Sequence, residues 1–539
     1  MALHSRRGFL KSAGALVAVD AAAEEPNVGE RRPELPPRAA TALALRDTAA
    51  AIESARAAAS TANNGDEALY PNLIGSFTKG LLHSQIGEVQ LPAYQALLHA
   101  VSTQKHSDFE AIPLGYGRKL VNAESAFTYD LEGGDSHTFS MPLPPTFNSA
   151  QIAAEMVELY WQAALRDTPF SQYTVSPVAQ AAAAELAALS GYQGPKGISN
   201  LFRGTAPGCQ VGPYLSQYLL QTVYFGSTPR EQMYRTGMPG VDYLNAYSEW
   251  LELQSGLPPY RTEAFDSTFR YIRNGRDLAQ YVHYDFTFQT FLQAALIILD
   301  QYPETVLDFN VYQLNHTNPY KTSRIQTGFT TFGSAHILDW VARVANMALK
   351  PACYHKWAIH RRVRPEAVGG CVYNNLAGLT TYPIHNDLMN SKALATNILN
   401  AGNALLPQAY VEGCPLHPSY PAGHAVIAGA CATVLKALFE GTDLISAAVT
   451  PSDDGLTLIP DSTDALTIAG ELNKLAFNIP MGRNWAGIHY RSDAAAGLAL
   501  GEAVAIAFLQ DNAGIFTETF AGFQFTAFDG TAVSIVPNV

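Results

Sequence analysis

The sequence lacks the cysteine pattern that would indicate a thiolate metal site or a disulfide framework. It contains five cysteines in 539 residues, an odd number with no CxxC spacing, so neither a zinc site nor a set of paired disulfides is expected. We expect ordinary buried or partly buried thiols. The residues are Cys209, Cys353, Cys371, Cys414 and Cys431.

Several common ligand-binding motifs are also missing. The sequence has no phosphate-binding loop of the Gly-x4-Gly-Lys type, no dinucleotide fingerprint in a strand-to-helix context and no zinc-peptidase helix. It shows no internal repeat and no low-complexity tract beyond alanine runs. Basic residues are in the minority, with 34 Lys plus Arg against 47 Asp plus Glu and a net charge of −13. This balance disfavours long-range attraction to nucleic acid or anionic lipid.

Long uninterrupted apolar runs are absent. The most apolar stretches, residues 425–439 and 494–509, contain Lys436 and Glu502 respectively, so neither is predicted to span a membrane. With 47% hydrophobic residues, the chain can bury a large core as one big domain or two tightly packed ones. We expect the mature protein to be soluble.

The N-terminus, residues 1–23, has the form of a twin-arginine export signal. Arg6 and Arg7 precede a short apolar stretch and a run of alanines, which predicts export to the periplasm or outside the cell. Because Asp20 interrupts the apolar stretch, a disordered basic tail on a cytoplasmic protein is the alternative. Residues 24–67 are interpreted as a linker and N-terminal arm, and residues 68–539 as a single helical domain whose active-site half covers about 330–510.

The predicted fold class is all-α. Alternation typical of strands is scarce, and small hairpins are expected only in the aromatic-rich region 127–147 and in the tail 523–536. Neither hairpin changes the class. Apolar residues recur at helical spacing in residues 178–189, 281–302, 337–348, 425–439 and 494–509.

The first of three motifs contains a lysine and several arginines. Lys356 and Arg364 are eight residues apart, so both can face one cavity if the helix continues that far. Pro365 disfavours helix at Arg364 and places its guanidinium at the terminus. A solvated basic face formed by Arg361, Arg362 and Arg364 is the alternative, although the interleaved apolar residues argue against full exposure.

The second motif, Pro-x-Gly-His, begins a helix. Pro421 suits a first helical turn, and the small apolar residues after it continue the helix. Free backbone N–H groups around Ala422, Gly423 and His424 could therefore meet an anion. A capped buried helix with a hydrogen-bonded core histidine is the alternative.

The third motif places His489 four residues before Asp493. A carboxylate at that distance can accept one imidazole N–H and fix the tautomer, so that the other nitrogen faces a ligand. Alternatively, Ser492 or Asp493 caps a helix that starts at Ala494. Taken together, the three motifs supply cations, histidines and a helix start, which is a set of groups suited to a tetrahedral oxyanion.

The order Lys-x7-Arg-Pro, Pro-x-Gly-His, Arg-x5-His-x3-Asp resembles the vanadium-dependent haloperoxidases and the related acid phosphatases. The longer strings at residues 356–370 and 417–424 resemble the bromoperoxidase branch of marine algae and cyanobacteria, and the similarity is strongest over residues 330–500. The resemblance implies an all-helical body built around two four-helix bundles. It also implies a homodimer or a larger homo-oligomer.

The resemblance implies vanadate, with vanadium at +5, as the cofactor. His489 would bind vanadium through one nitrogen while Asp493 or a backbone carbonyl steadies the other. Cationic side chains and a backbone N–H would neutralise the vanadate oxygens. The remaining residues assigned to the cofactor site are Lys356, Arg364, Ala422, Gly423 and Arg483.

The catalytic roles concern protons and peroxide. His424 would handle protons as hydrogen peroxide enters, and Lys356 would polarise the bound peroxide for attack by halide. Hypohalous acid would be released and would halogenate small organic acceptors. His417 corresponds to an additional histidine that the branch places near the site; a structural histidine before Pro418 is the alternative.

Ala422 departs from the family pattern, which usually has serine at this position. Losing one hydrogen bond to a charged acceptor costs about 1.5–3 kcal/mol, although water can replace the hydroxyl. We expect weaker vanadate affinity or a shifted halide preference rather than loss of activity.

Two rival functions use the same site. In a phosphatase His489 would be the nucleophile and His424 the acid, but the longer Lys-to-Arg spacing, His417 and the large chain argue against it. A non-catalytic helical binding or shell protein is the second rival, and Ala422 is its best support. Within the haloperoxidase interpretation, bromide and iodide are favoured over chloride.

Overall fold

The computed structural model describes residues 36–300, 313–445, 447–463 and 465–537. The predicted export signal at residues 1–23 lies outside these ranges. A short N-terminal unit ends at Asp47, and its described part belongs to the first helix. The main unit is Thr48–Val539, and it contains all the motif residues.

The described chain is mainly helical, so the predicted all-α class is confirmed; the arrangement as two four-helix bundles stays a prediction. The helices are α1 Pro37–Ser54, α2 Asp66–Leu69, α3 Leu91–Thr103, α4 His106–Glu110, α5 Ala150–Leu165, α6 Pro177–Ala188, α7 Tyr247–Gln254, α8 Gly275–Tyr284, α9 Gln289–Asp300, α10 Ser334–Cys353, α11 Pro365–Leu376, α12 Asn386–Met389, α13 Lys392–Ala401, α14 Gly423–Leu438, α15 Ile468–Trp485 and α16 Arg491–Asn512.

Short strands form two-stranded antiparallel pairs. The hairpin predicted at 523–536 is confirmed. The hairpin predicted at 127–147 is wrong: the described residues there form short 3-10 turns, because the prolines between 142 and 145 cannot donate to a ladder. The pairs are β1 Val223–Phe225 with β2 Thr228–Arg230, β3 Tyr234–Gly237 with β4 Phe265–Arg270, β5 Val449–Pro451 with β6 Leu458–Pro460, and β7 Phe523–Thr526 with β8 Ala532–Ile535.

Helix α14 lies at the centre of the main unit and packs against α10, α15 and α16. Glycines allow α14 and α16 to approach closely, since a side chain at Gly429 or Gly501 would collide with the backbone of the other helix. The close approach brings the start of α14 next to the start of α16, where the Ala422 N–H donates to the Asp493 carbonyl oxygen at 3.1 Å. Two of the three motifs therefore meet through helix packing.

The helix predicted at 281–302 is wrong as a single element, whereas the other predicted helices are confirmed as α6, α10, α14 and α16. Helix α8 ends at Tyr284 and α9 begins at Gln289, because Asp285 adopts an extended conformation with φ −68° and ψ 146°. The apolar periodicity continues on both sides of this break and does not reveal it. Tyr302 lies outside the described residues. The break places the Asp285 carboxylate beside α14.

Helix α16 is long and apolar enough, by length and composition, to cross a membrane, and it is the one helix of the described ranges that meets this criterion. However, 67% of its most apolar window is buried inside the protein. A core helix has the same properties, so the finding is weak support for a membrane span.

Candidate oxyanion site

The first motif changes its path between Lys356 and Arg364. Helix α10 continues as a π-helical turn, Tyr354–His360, and the chain then turns at Arg361, whose φ is 39°. Arg364 precedes α11, which starts at Pro365. The helix therefore does not continue from Lys356 to Arg364, which was the condition for a shared helical face. A reversal of the chain brings the two side chains together instead.

The alternative of a solvated basic face is also wrong. Arg361, Arg362 and Arg364 are 7%, 2% and 2% exposed. Buried guanidinium groups require partners, because an unpaired buried charge is costly. The hydrogen-bond partners of Arg362 and Arg364 form part of the site.

Lys356 is buried, and its Nζ donates to the carbonyl oxygens of Pro418 at 2.8 Å and Ser419 at 3.0 Å. Burial, followed by the nearby charge of Arg364, holds the pKa of Lys356 well below its usual range. Both hydrogen-bond partners are neutral. An anion placed beside Nζ would therefore favour the charged ammonium.

Arg364 connects the three motifs. Its guanidinium donates to the carbonyl oxygens of His417 at 3.0 Å and Ile488 at 2.8 Å. It also contacts His489 Nε2 and His417 Nδ1, each at 2.9 Å. Because a guanidinium can only donate, both of these imidazole nitrogens are acceptors.

His489 consequently has a defined tautomer. Its Nδ1 donates to Asp493 Oδ2 at 2.8 Å, and its Nε2 carries the lone pair. Burial, followed by Arg364, holds the pKa of His489 well below its usual range, so the ring is neutral. Asp493 also accepts the Tyr490 N–H at 3.1 Å at the start of α16. The carboxylate therefore orients the histidine and caps the helix, which starts at Arg491 rather than Ala494.

Behind Asp493 lies an ionic network that the sequence did not predict. Arg362 donates to Asp493 Oδ1 at 2.7 Å and to Glu155 Oε2 at 3.1 Å, and Ser419 donates to Asp493 Oδ2. Although burial opposes it, Arg362 holds the pKa of Asp493 well below its usual range. We call this set of residues the deep wall: Glu155, Arg362, His489 and Asp493.

The second motif differs from expectation in two details. Helix α14 begins at Gly423, with Ala422 extended as the preceding residue, so Pro421 lies before the first turn. The Ala422 N–H is not free, since it donates to the Asp493 carbonyl oxygen at 3.1 Å. The N–H groups of Gly423 and His424 have no acceptor among the described residues, and they point out of a 16-residue helix.

His424 is a cavity residue rather than a core histidine, with a side chain 28% exposed. Its Nε2 lies 3.1 Å from Asp285 Oδ1. Asp285 was missed because nothing in the sequence distinguishes it from other helix-terminal acids. Arg483 donates to the Val282 carbonyl oxygen at 2.9 Å and to Tyr410 Oη at 3.3 Å, while its buried Nε has no partner within the described chain.

The motif residues surround a cavity of about 560 Å³, large enough for an oxyanion and a small second molecule. Arg364, Ala422 and Asp493 lie behind the lining. We call four of the lining residues the cavity wall: Lys356, Gly423, His424 and Arg483. The predicted site residues that line the cavity are Lys356, His417, Gly423, His424, Arg483 and His489.

The donors present fit vanadate. The partnerless Arg483 Nε, the Gly423 and His424 amides and the Lys356 amine are all suited to anionic oxygens. A neutral imidazole nitrogen suits a transition metal. Such a set can hold a tetrahedral oxyanion whose central atom also accepts a nitrogen ligand.

Comparison with known proteins agrees with this geometry. Residues 402–517 match the family described as "VCPO second helical-bundle domain". The vanadium-dependent bromoperoxidase of Ascophyllum nodosum is 36% identical over 502 residues, 88% of each chain. That of Corallina officinalis is 32% identical over 598 residues, 92% of this chain and 98% of the relative. The chain belongs to the vanadium-dependent bromoperoxidase family, as the resemblance predicted.

A solved structure extends the similarity to the whole fold. The second vanadate-dependent bromoperoxidase of Ascophyllum nodosum, described as homohexameric, superposes with a TM-score of 0.87. It shares 31% sequence identity, and the alignment covers 95% of this chain and 94% of that one. The helical architecture is thus common to both proteins over nearly their full lengths.

Proposed function

We propose that this chain is a vanadate-dependent peroxidase that oxidises bromide and iodide with hydrogen peroxide to hypohalous acid. The observation that carries the proposal is the neutral His489, whose Nε2 lone pair lies among the cationic residues lining the cavity. The relatives named bromoperoxidases support bromide as a substrate. Small organic acceptors would then be halogenated by the product.

The cofactor site uses both walls. When bound, vanadate supplies a Lewis acid that activates hydrogen peroxide for attack by halide. His489 Nε2 would be the ligand to vanadium, held in its tautomer by Asp493. Lys356, Arg483 and the Gly423 N–H would compensate the negative charge of the oxygens.

His424 lines the cavity and would exchange protons with hydrogen peroxide there. Asp285 Oδ1, 3.1 Å from His424 Nε2, would orient the ring for that exchange. The pair combines a proton carrier with an orienting carboxylate.

His417 has a different role in this proposal. It is buried, and its Nδ1 lies 2.9 Å from Arg364 and 3.1 Å from the Pro418 carbonyl oxygen. Burial, followed by Lys356 and Arg364, holds its pKa well below the usual range. A neutral His417 would position Arg364 rather than transfer protons.

We also propose that the protein assembles as a homo-oligomer and is exported through the twin-arginine route. The structural relative described as homohexameric supports assembly, and light scattering on the purified protein would measure it. Export would be tested by fusing residues 1–23 to a folded reporter and replacing Arg6 and Arg7 with lysine.

The test of the activity is bromination of a phenolic dye by metal-free protein, with and without orthovanadate, in hydrogen peroxide and bromide. We expect turnover that requires vanadate, is suppressed by excess phosphate and is lost in His489→Ala. His99→Ala is the matched control, since that side chain is 66% exposed. Phosphate-ester hydrolysis without bromination would instead identify a phosphatase. If the protein shows neither bromination nor phosphate-ester hydrolysis, a non-catalytic binding protein is the remaining interpretation.

A further inference from the structure

The cysteines differ in their access to the cavity. Cys209, Cys371, Cys414 and Cys431 are buried, with 9% exposure or less. Cys353 is partly exposed and lines the cavity together with Lys356, His424 and His489. It is the last residue of α10, directly before the π-helical turn that carries Lys356.

The exposure of Cys353 distinguishes it from the other cysteines. Reactive cysteines are accessible to the oxidant, whereas buried ones are inert. Cys353 is partly exposed, lines the cavity and is close enough to Lys356 for the two groups to interact electrostatically. Burial raises the pKa of the Cys209, Cys371, Cys414 and Cys431 thiols, which lowers their reactivity.

A second observation shows that the space beside Cys353 is built for a ligand. Arg483 Nε and Trp357 Nε1 are buried polar atoms without partners among the described residues, and both side chains line this cavity. Arg483 is 9% exposed and Trp357 0%. Under the proposed function the same cavity produces hypohalous acid, so Cys353 is the one cysteine of the described ranges that meets the product where it forms.

We propose that Cys353 is a site of oxidative self-modification, at which hypohalous acid formed in the cavity converts the thiol to a sulfenic acid and so weakens oxyanion binding at Lys356. This inference rests on the proposed function. Oxidation would weaken oxyanion binding because Cys353 lies near Lys356. The oxygen of a sulfenic acid is a new hydrogen-bond acceptor, and it would compete with the oxyanion for the Lys356 amine.

The chemistry balances with the species that the activity supplies. The sulfur of Cys353 attacks the bromine of hypobromous acid; an S–Br bond forms, the Br–O bond breaks, and the departing hydroxide takes the thiol proton to become water. Water then displaces bromide, which leaves S–OH and hydrogen bromide. Sulfur gives two electrons to bromine. A dithiol reverses the change by forming its own disulfide and water.

The experiment traps the modification during turnover. Vanadate-loaded protein is supplied with hydrogen peroxide and bromide, without an organic acceptor, and is then treated with a dimedone probe for sulfenic acid. We expect labelling of Cys353 at least about tenfold above each of the other cysteines, by peptide mass spectrometry. Omitting vanadate or bromide should remove the label. In wild type and in the control Cys371→Ala, bromination should decline with time and recover with dithiothreitol, whereas in Cys353→Ala and Cys353→Ser it should not decline.

A second measurement does not depend on turnover. Metal-free protein is treated with one equivalent of reagent hypobromite and titrated with orthovanadate by calorimetry. We expect vanadate affinity to fall by about tenfold in wild type and to be unchanged by the treatment in Cys353→Ala. Unaltered affinity in oxidised wild type would overturn the link to Lys356.

Three further results would overturn the proposal, and they are distinguishable. Sustained bromination with an intact Cys353 thiol would show that the thiol is not a target. Equal labelling of all five cysteines would indicate unfolding instead of selective access. Absence of bromination in vanadate-loaded protein would contradict the proposed function itself, and this inference with it.

Discussion

The deep wall and the cavity wall of the oxyanion site both contain buried basic side chains, but these side chains have different hydrogen-bond partners. In the deep wall, Arg362 lies 2.7 Å from Asp493 and 3.1 Å from Glu155. In the cavity wall, the hydrogen bonds of Lys356 and Arg483 go to neutral oxygens. Paired charges fix the geometry of the folded protein, whereas unpaired cations are available to a ligand. Substitutions in the two walls should therefore affect different properties.

The largest effect is expected from Arg362→Met in the deep wall. Removing this guanidinium leaves two buried carboxylates without their cation, which costs about 3–5 kcal/mol of unfolding free energy. Urea unfolding measures the loss. Arg343→Met is the control, because Arg343 is 45% exposed in its ion pairs and should lose less than about 1 kcal/mol. Similar losses in the two variants would contradict the distinction between the walls.

The next effect is expected from Arg483→Met in the cavity wall. Loss of charged hydrogen bonds to the oxyanion should reduce vanadate binding by about 1.5–3 kcal/mol, while the unfolding free energy changes less than in Arg362→Met. Calorimetric titration with orthovanadate measures the affinity. If Arg483→Met bound vanadate as tightly as wild type, the unpaired Nε would not be a ligand group.

His360 provides an independent test of the difference between the two walls. Its ring nitrogens have no hydrogen-bond partner in the described chain, as is the case for Arg483 Nε in the cavity wall, but the residue lies outside the cavity lining. Its ring is 7% exposed. Burial lowers the pKa of His360 from 6.5 to about 3. As the pH falls, the unfolded chain therefore binds a proton at this histidine at a higher pH than the folded protein does. Stability is therefore lost as the pH falls from about 6.5 towards 3, and this group costs about 2 kcal/mol at pH 5 relative to pH 7.

We expect His360→Phe to remove that loss without changing vanadate affinity. Urea unfolding at pH 7 and pH 5 measures the difference, with His99→Phe as the exposed control. An acid sensitivity equal to that of wild type would show that His360 titrates normally in the folded protein.

The smallest effect is expected from Ala422→Ser. A hydroxyl at this position could donate to an oxyanion oxygen and tighten vanadate binding by about 1.5 kcal/mol, or roughly tenfold. Calorimetry measures the gain. If thermal stability rises while the affinity for vanadate stays the same, the new hydroxyl has capped α14 instead of binding the oxyanion. In that case Ala422, in place of serine, would not explain weaker vanadate binding.

The sequence predicted the local parts of this account and missed the long-range ones. Each motif spans a short segment, so the His489–Asp493 spacing and the presence of a helix start close to Pro421 could be interpreted from neighbours in the chain, although the helix begins two residues later, at Gly423. Glu155 is 207 residues away from Arg362, and no local pattern marks it as the end of a buried ionic network. The same holds for Asp285, whose role depends on a helix break that apolar periodicity does not show.

How far the first helix continues beyond Lys356 could not be decided from the sequence. The structure has a π-helical turn and a residue in the left-handed region at Arg361. A non-glycine residue rarely adopts a positive φ, so an arginine at this position gives no sequence signal for the turn.

Titration of metal-free wild-type protein and His489→Ala with orthovanadate, followed by phosphate competition, is the decisive test of whether this cavity binds the oxyanion. We expect one vanadate per chain in wild type, displaced by phosphate, and loss of binding in His489→Ala at an unfolding free energy close to that of wild type. Equal vanadate binding by the variant, or binding that phosphate does not displace, would contradict the assignment of this cavity as the oxyanion site.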